Sequence, residues 1–367
     1  MSKLKKILIV VGTRPNFIKV TRFKQVAKNY PQIEIKFVHT GQHFDEKMSK
    51  IFFEQFELQP DFMLNIGQGT PNTQMANVML GLEKVALEYQ PDLIMVVGDV
   101  NSTFAAALTA NKMGIKSAHL ESGLRSFDRS MPEEINRLLT DEIVDYYFVT
   151  EQSGLDELRK EGIANDKVFF VGNTMIDSLV EFENQTQASD ILNTYNLSTK
   201  EFVLMTMHRP SNVDEKDGLI TLIEIIKSIT SKLKLVFPIH PRTVSKLKNF
   251  GLWQEIENLD NLIFSEPLDY FSFQKLTSDC KFVVTDSGGI QEETTYRQIP
   301  CLTLRNNTER PITVTLGSNV LVPYNIQDVN TYIEQIMNGS FKKGEIPPLW
   351  DGKSTERIVE ILNQLAL

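Results

Sequence analysis

Residues 281–293 read KFVVTDSGGIQEE. The run Lys281–Thr285 is short and apolar and reads as a buried strand. Asp286-Ser287-Gly288-Gly289 breaks it, and Ile290-Gln291-Glu292-Glu293 resumes as a helix. A strand that stops at Ser-Gly-Gly and restarts as a helix leaves backbone N–H groups pointing outward. The paired glycines let a ligand come close to the backbone. Those N–H groups and the positive end of the helix dipole favour an anion, most simply a phosphate. Glu293 lies about one turn into the helix, within reach of the hydroxyls of a ribose. The plainer alternative is a tight strand-to-helix turn with Ser287 as its cap.

The same strand, break and helix sequence recurs along the chain. The first half carries KILIVV, EIKFVHT, DLIMVVGD, KSAHLES, DYYFVTE and KVFFVGN. The second half carries FVLMTMH, KLVFPIH, NLIFSEP, KFVVTDSGG and PCLTLRN. Strands that are apolar almost throughout are buried on both faces, as in a parallel sheet covered by helices. Two such series predict an α/β protein of two doubly wound Rossmann-like domains facing across a cleft. The expected boundary is at Gly172-Asn173, giving domains 1–172 and 173–354. The amphipathic segment 355–367 is expected to pack back on the first domain. Ligands of open parallel sheets bind beyond the carboxyl ends of the strands. Gly12-Thr13-Arg14, Gly98-Asp99, Glu121-Ser122, His208-Arg209, His240 and Ser287 all stand there.

Composition narrows the partners. The chain has 367 residues, 41% apolar and 23% charged, with a formal net charge of −9. That balance disfavours nucleic acid or an anionic membrane as the main partner. No run approaches the length of a membrane span, and MSKLKKILIVV runs straight into GTRPN as a first strand rather than a signal peptide. The two cysteines, Cys280 and Cys301, sit beside apolar runs without metal spacing, which predicts a reducing, cytoplasmic compartment. GxGxxG, GxxxxGK and HExxH are all absent. A nicotinamide or flavin site of the usual kind, a P-loop and a zinc site are therefore unsupported, and neither cofactor nor metal is expected.

The charged residues at strand ends carry alternatives. Arg14, with Pro15 behind it and Lys19 five residues on, is placed to fork onto a diphosphate or to pair with a surface carboxylate. Asp99 is a candidate acid or base, or the cap of the helix that follows. Glu121 has no obvious capping role, since Ser122-Gly123 follows it. Glu133 and Arg137 stand four apart behind Pro132, on one helical face, where a plain ion pair is the alternative. His208 ends a strand, where it is placed to donate to a phosphate.

Taken in order, GTRP at 12–15 with Lys19, GQH at 41–43, GD at 98–99, HLESGLRS at 119–126, MPEEINR at 131–137, the segment from Gly172, HRP at 208–210, DSGGIQEE at 286–293 and TERP at 308–311 resemble the non-hydrolysing UDP-N-acetylglucosamine 2-epimerases over nearly the whole chain. The resemblance implies a glycosyltransferase-B-like fold, a UDP-sugar substrate in the cleft, a homodimer and no cofactor. It implies C2 epimerisation through UDP elimination and re-addition, in the supply of cell-surface polysaccharide precursors. It implies that Arg14, His208, Ser287, Gly288 and Gly289 hold the diphosphate, that Glu293 binds the ribose and that Phe273 lies near the uracil. Asp99, Glu121 and Glu133 match the acidic residues at the sugar, with His208 counted among the catalytic positions. Lys19, Arg137 and Arg310 match supporting cations. Two departures stand out. Asn16 replaces the glutamate common after GTRP, and Asp45 with the arginine-free stretch Gly67–Thr70 alters the segments that hold an activating second UDP-sugar. The rivals are a UDP-sugar transferase of the same fold, an epimerase acting on a modified UDP-sugar, a hydrolysing epimerase and a silent nucleotide-sugar sensor.

Overall fold

A computed structural model describes residues 3–41, 55–56, 58–67 and 69–367. The chain divides into two compact units, residues 1–181 with 348–367, and residues 182–347.

The first unit is built on a seven-stranded sheet. Its strands are β1 (Lys5–Val11), β2 (Ile33–His39), β3 (Phe62–Met63), β4 (Leu93–Val97), β5 (Lys116–Leu120), β6 (Tyr146–Val149) and β7 (Val168–Phe170). They run in the order β3-β2-β1-β4-β5-β6-β7, all paired in parallel. The order turns back at β1 beside β4, a point where such sheets open a crevice at their carboxyl edge. β4 reads LIMVV and is buried at every residue, as a strand covered on both faces must be. Leu8, Val10, Ile94 and Val96 meet Ala106, Ala107 and Ala110 of helix Asn101–Met113 in one core.

The second unit has six strands, β8 (Phe202–Thr206), β9 (Lys234–Pro238), β10 (Leu262–Ser265), β11 (Phe282–Thr285), β12 (Cys301–Thr303) and β13 (Asn319–Leu321). They are again parallel, in the order β10-β9-β8-β11-β12-β13. The switch point here is β8 beside β11. Those strands end at Thr206 and Thr285, two residues before His208 and Ser287.

The division falls after Glu181 rather than after Gly172, which corrects the expected boundary. Gly172 takes a left-handed φ of 87° in a turn inside the first unit and is not a linker. Helix Thr174–Glu181 stays with that unit because Ser178 bonds Thr21 at 2.7 Å. Its Asp177 caps helix Ser354–Gln364, accepting from the backbone N–H of Ser354 at 3.0 Å and Thr355 at 2.5 Å. The returning segment starts at Pro348, earlier than 355, and Trp350 is buried with its indole N–H donating to Thr150 O at 3.1 Å. β3 and β13 were not foreseen, being too short to register as apolar runs.

Candidate functional site

In the first unit three strand ends converge. Gly98, just past β4, has a φ of 66°, open to glycine at little cost. A Cβ there would lie 3.0 Å from Asn16 Nδ2, 3.3 Å from Glu121 Oε2 and 3.7 Å from Lys19 Nζ. The missing side chain is what allows these groups to crowd the turn. Lys19 and Glu121 form an ion pair, their side chains only 6% and 3% exposed. Glu121 itself has a φ of 74°, a strained setting for a side-chain-bearing residue of the kind that gathers at functional sites. Its backbone N–H and that of Ser122 both donate to Phe148 O, at 3.1 and 3.2 Å, which holds the strained turn in place.

Asn16 occupies the floor. Its Oδ1 accepts from Thr13 N–H at 3.2 Å and Thr13 Oγ1 at 2.9 Å, and its Nδ2 donates to Val97 O at 3.2 Å. A neutral amide, not a third carboxylate, thus stands beside the Lys19–Glu121 pair. Arg14 is exposed and opens helix Arg14–Ile18, with Pro15 in its first turn.

Asp99 does not cap the following helix; the cap position is Val100. Its carboxylate instead accepts from Arg137 Nη2 at 2.6 Å. Arg137, 2% exposed, turns its other arm to Glu134. The alternative of a plain Glu133–Arg137 ion pair is therefore not what forms. The partner is Glu134 at i−3, and Glu133 stands exposed in the first turn of helix Pro132–Ile143. Sequence spacing could not separate the two, since i,i+3 and i,i+4 both lie on one face. Glu134 escaped the sequence reading altogether, yet it is a hub. Its carboxylate also accepts from Ser126 N–H, Ser126 Oγ and Phe127 N–H, each at 2.9 Å.

In the second unit the ends of β8 and β11 bring His208, Asp286 and Ser287 together. Ser287 precedes helix Gly288–Arg297 in the cap position, but its hydroxyl makes no capping bond. Its backbone N–H donates to Thr285 Oγ1 at 2.9 Å. Gly288 has no room for a side chain, since a Cβ would lie 2.7 Å from Glu309 Oε1 and 3.0 Å from Arg310 Nη1. Arg310 is buried against Glu309 and Glu292, the latter at 2.9 Å, behind the helix start. His208 is half exposed, and its Nδ1 lies 3.0 Å from Asp286 Oδ1, which orients the ring. Burial alone would raise the Asp286 carboxyl, but His208 and the backbone N–H groups of Arg209 and His208 outweigh it and hold it below its usual value. Asp286, like Glu134, supports a site residue without having been singled out for that role.

Glu293 is buried, and burial lifts its carboxyl from 4.5 to about 7, against the pull of Gln274 and Arg297. Phe273, on helix Tyr270–Asp279, is partly buried against the core around Leu276 and Ile290. Residues Gln42–Asp45 and Gln68, in the segments of the expected second UDP-sugar site, lie outside the described residues.

The sequence model of the UDP-N-acetylglucosamine 2-epimerase family matches residues 25–363. The chain belongs to the UDP-N-acetylglucosamine 2-epimerase family. By that membership it is an epimerase, an isomerase. The UDP-N-acetylglucosamine 2-epimerase of Methanocaldococcus jannaschii is 40% identical over 363 residues, 97% of this chain and 98% of that protein. The crystal structure of the Methanocaldococcus jannaschii enzyme in complex with UDP-GlcNAc and UDP matches with a TM-score of 0.89 at 40% identity, covering 98% of this chain and 100% of that one. A UDP-2,3-diacetamido-2,3-dideoxy-D-glucuronate 2-epimerase of Pseudomonas aeruginosa is 38% identical over 321 residues, 86% of this chain and 88% of that protein. Fold class and family thus agree with the expectations drawn from the sequence.

Proposed function

We propose that the chain interconverts UDP-N-acetylglucosamine and UDP-N-acetylmannosamine, without metal or redox cofactor. A base removes the C2 proton, the C1–O bond to the diphosphate breaks, and its electrons leave with UDP. The sugar becomes a 2-acetamidoglucal. UDP oxygen then re-forms the bond at C1 while an acid delivers a proton to the other face of C2. The observation that carries this is the pair of carboxylates flanking the Gly98 turn, Asp99 held by Arg137 and Glu121 held by Lys19. With Glu133 they supply the acid–base groups that proton transfer at C2 demands.

The leaving diphosphate needs its charge met as it departs. Arg14, His208, the Ser287 hydroxyl and the N–H groups of Gly288 and Gly289 take that part. Lys19, Arg137 and Arg310 fix the carboxylates and the helix start. Glu293 takes the ribose and Phe273 the base. The likeness to the Pseudomonas aeruginosa enzyme favours one second reading, a UDP-sugar with a further acetamido group and a uronate. The protein works as a cytoplasmic homodimer that supplies polysaccharide precursors.

The test is an NMR time course with UDP-N-acetylglucosamine as sole substrate. The expected result is UDP-N-acetylmannosamine growing to an equilibrium mixture. Free UDP with N-acetylmannosamine would mean hydrolysis, and an unchanged spectrum would mean a transferase, a sensor or the modified sugar.

A further inference from the structure

His119 belongs to none of the roles above, yet it is the last polar residue of β5, is fully buried and stands two residues before Glu121. Its ring bridges two elements. Nε2 lies 2.7 Å from the backbone oxygen of Gly98, and Nδ1 lies 2.6 Å from Asp141 Oδ1. A carbonyl oxygen only accepts, so Nε2 carries a hydrogen and donates it.

Asp141, on helix Pro132–Ile143, is fully buried too and reaches the other turn. Its second oxygen accepts from Gly123 N–H at 3.0 Å and from Arg125 Nη1 at 2.7 Å. Arg125 in turn forks onto Glu161 at 2.9 and 2.7 Å. Burial would raise the Asp141 carboxyl, but His119, Arg125 and the Gly123 N–H hold it below its usual value. The chain His119–Asp141–Arg125–Glu161 therefore alternates donors and carboxylates from the sheet to the surface.

One end of this chain grips Gly98, the residue before Asp99. Its second member, Asp141, grips Gly123, two residues after Glu121. Both turns are left-handed, with φ of 66° at Gly98, 74° at Glu121 and 80° at Gly123; the glycines take this freely, but Glu121 does not and needs its neighbours to hold it there. A buried, hydrogen-bonded network is what over-determines such a conformation.

We propose that His119, anchored by Asp141, is a positioning residue for the epimerisation, tying the turn that carries Asp99 to the turn that carries Glu121. This rests on the reading that those two carboxylates act on the sugar. Apart from Arg14, which none of these bonds reaches, the groups assigned to UDP lie in the second unit, so loosening the tie lowers kcat and leaves UDP affinity alone. A residue that merely supported folding would not split the two.

The variants divide the ring into its two halves. His119→Gln places an amide where Nε2 stood and keeps a donor for Gly98. His119→Asn places one where Nδ1 stood and keeps only the contact with Asp141. Expected are a kcat lowered by roughly 10²-fold in His119→Asn, a milder loss of about tenfold in His119→Gln, and a UDP Kd within about twofold of wild type in both. Equal kcat in wild type and His119→Asn overturns the proposal. So does a parallel loss of kcat and UDP affinity.

Should either variant fail to fold, the wild-type protein decides by NMR. The His119 Nε2–H is expected as a resonance protected from solvent exchange, and an unprotonated or freely exchanging Nε2 overturns the proposal. A wild-type protein that does not epimerise at all overturns the functional reading and this one with it. An active wild type with an unaffected His119→Asn overturns this one alone.

Discussion

Asp99 and Glu121 sit in different surroundings, and that difference makes separable predictions. Both Asp99→Asn and Glu121→Gln are expected to lower kcat by roughly 10²-fold or more, the usual loss of an acid–base group. Only Glu121→Gln strands a buried cation, because enclosed Lys19 loses its carboxylate while Arg137, equally buried, keeps Glu134 when Asp99 is neutralised. Breaking a buried pair costs about 3–5 kcal/mol, so Glu121→Gln also lowers Tm, whereas Asp99→Asn changes it little. Steady-state rates and thermal melts on the same preparations check both. Wild-type turnover in either variant removes that residue from the chemistry.

Glu293 yields a pH prediction. Its carboxyl is raised from 4.5 to about 7, so between those values the folded chain holds a proton that the unfolded chain has released. Stability therefore falls as pH rises through that window. Glu293→Gln removes the loss. Its Tm gain over wild type is expected to be larger at pH 8 than at pH 5, while UDP binding at pH 8 weakens about tenfold for the lost acceptor. A Tm difference that is the same at both values contradicts the assignment. Asp99, Glu121, His208 and Ser287 were legible in the sequence because each stands within one or two residues of the end of a strand-like run. Glu134 and Asp141 were not, because a carboxylate inside a helix looks alike in sequence whether it faces water or a buried arginine.

At the scale of elements, the strand ends and the helix start do the holding. Gly289→Val is expected to abolish UDP binding with Tm little changed, because it fills the approach to the N–H groups of helix Gly288–Arg297. Gly288→Ala is expected to cost stability as well, because its Cβ would meet Glu309 Oε1 at 2.7 Å and push apart the Glu309–Arg310 pair. Ser287→Ala is milder, on the order of 1 kcal/mol of UDP affinity for one hydrogen bond. Calorimetric titration with UDP ranks the three. Unchanged affinity in Gly289→Val would move the nucleotide elsewhere. Eleven apolar runs were readable as strands, because strands covered on both faces need no periodicity to stand out. β3 and β13, two and three residues long, bury too little to leave such a mark.

For the whole molecule, two parallel sheets and a C-terminal return followed from the pattern of runs and from the amphipathic last helix. The point of division did not. Gly172-Asn173 looks like a break in sequence, but the contacts that assign helix Thr174–Glu181 to the first unit are made by Ser178 and Asp177 with Thr21, Ser354 and Thr355, residues far away in the chain. Such pairings have no local signature. What the molecule is proposed to achieve is deprotonation at C2 of a sugar, with UDP as the leaving group. Turnover of UDP-N-acetylglucosamine in D₂O, followed by NMR at C2, tests that step most directly. Deuterium is predicted at C2 of UDP-N-acetylmannosamine, and at C2 of the substrate recovered at equilibrium. Epimerised product that retains hydrogen at C2 would contradict proton exchange through the carboxylates of the first unit.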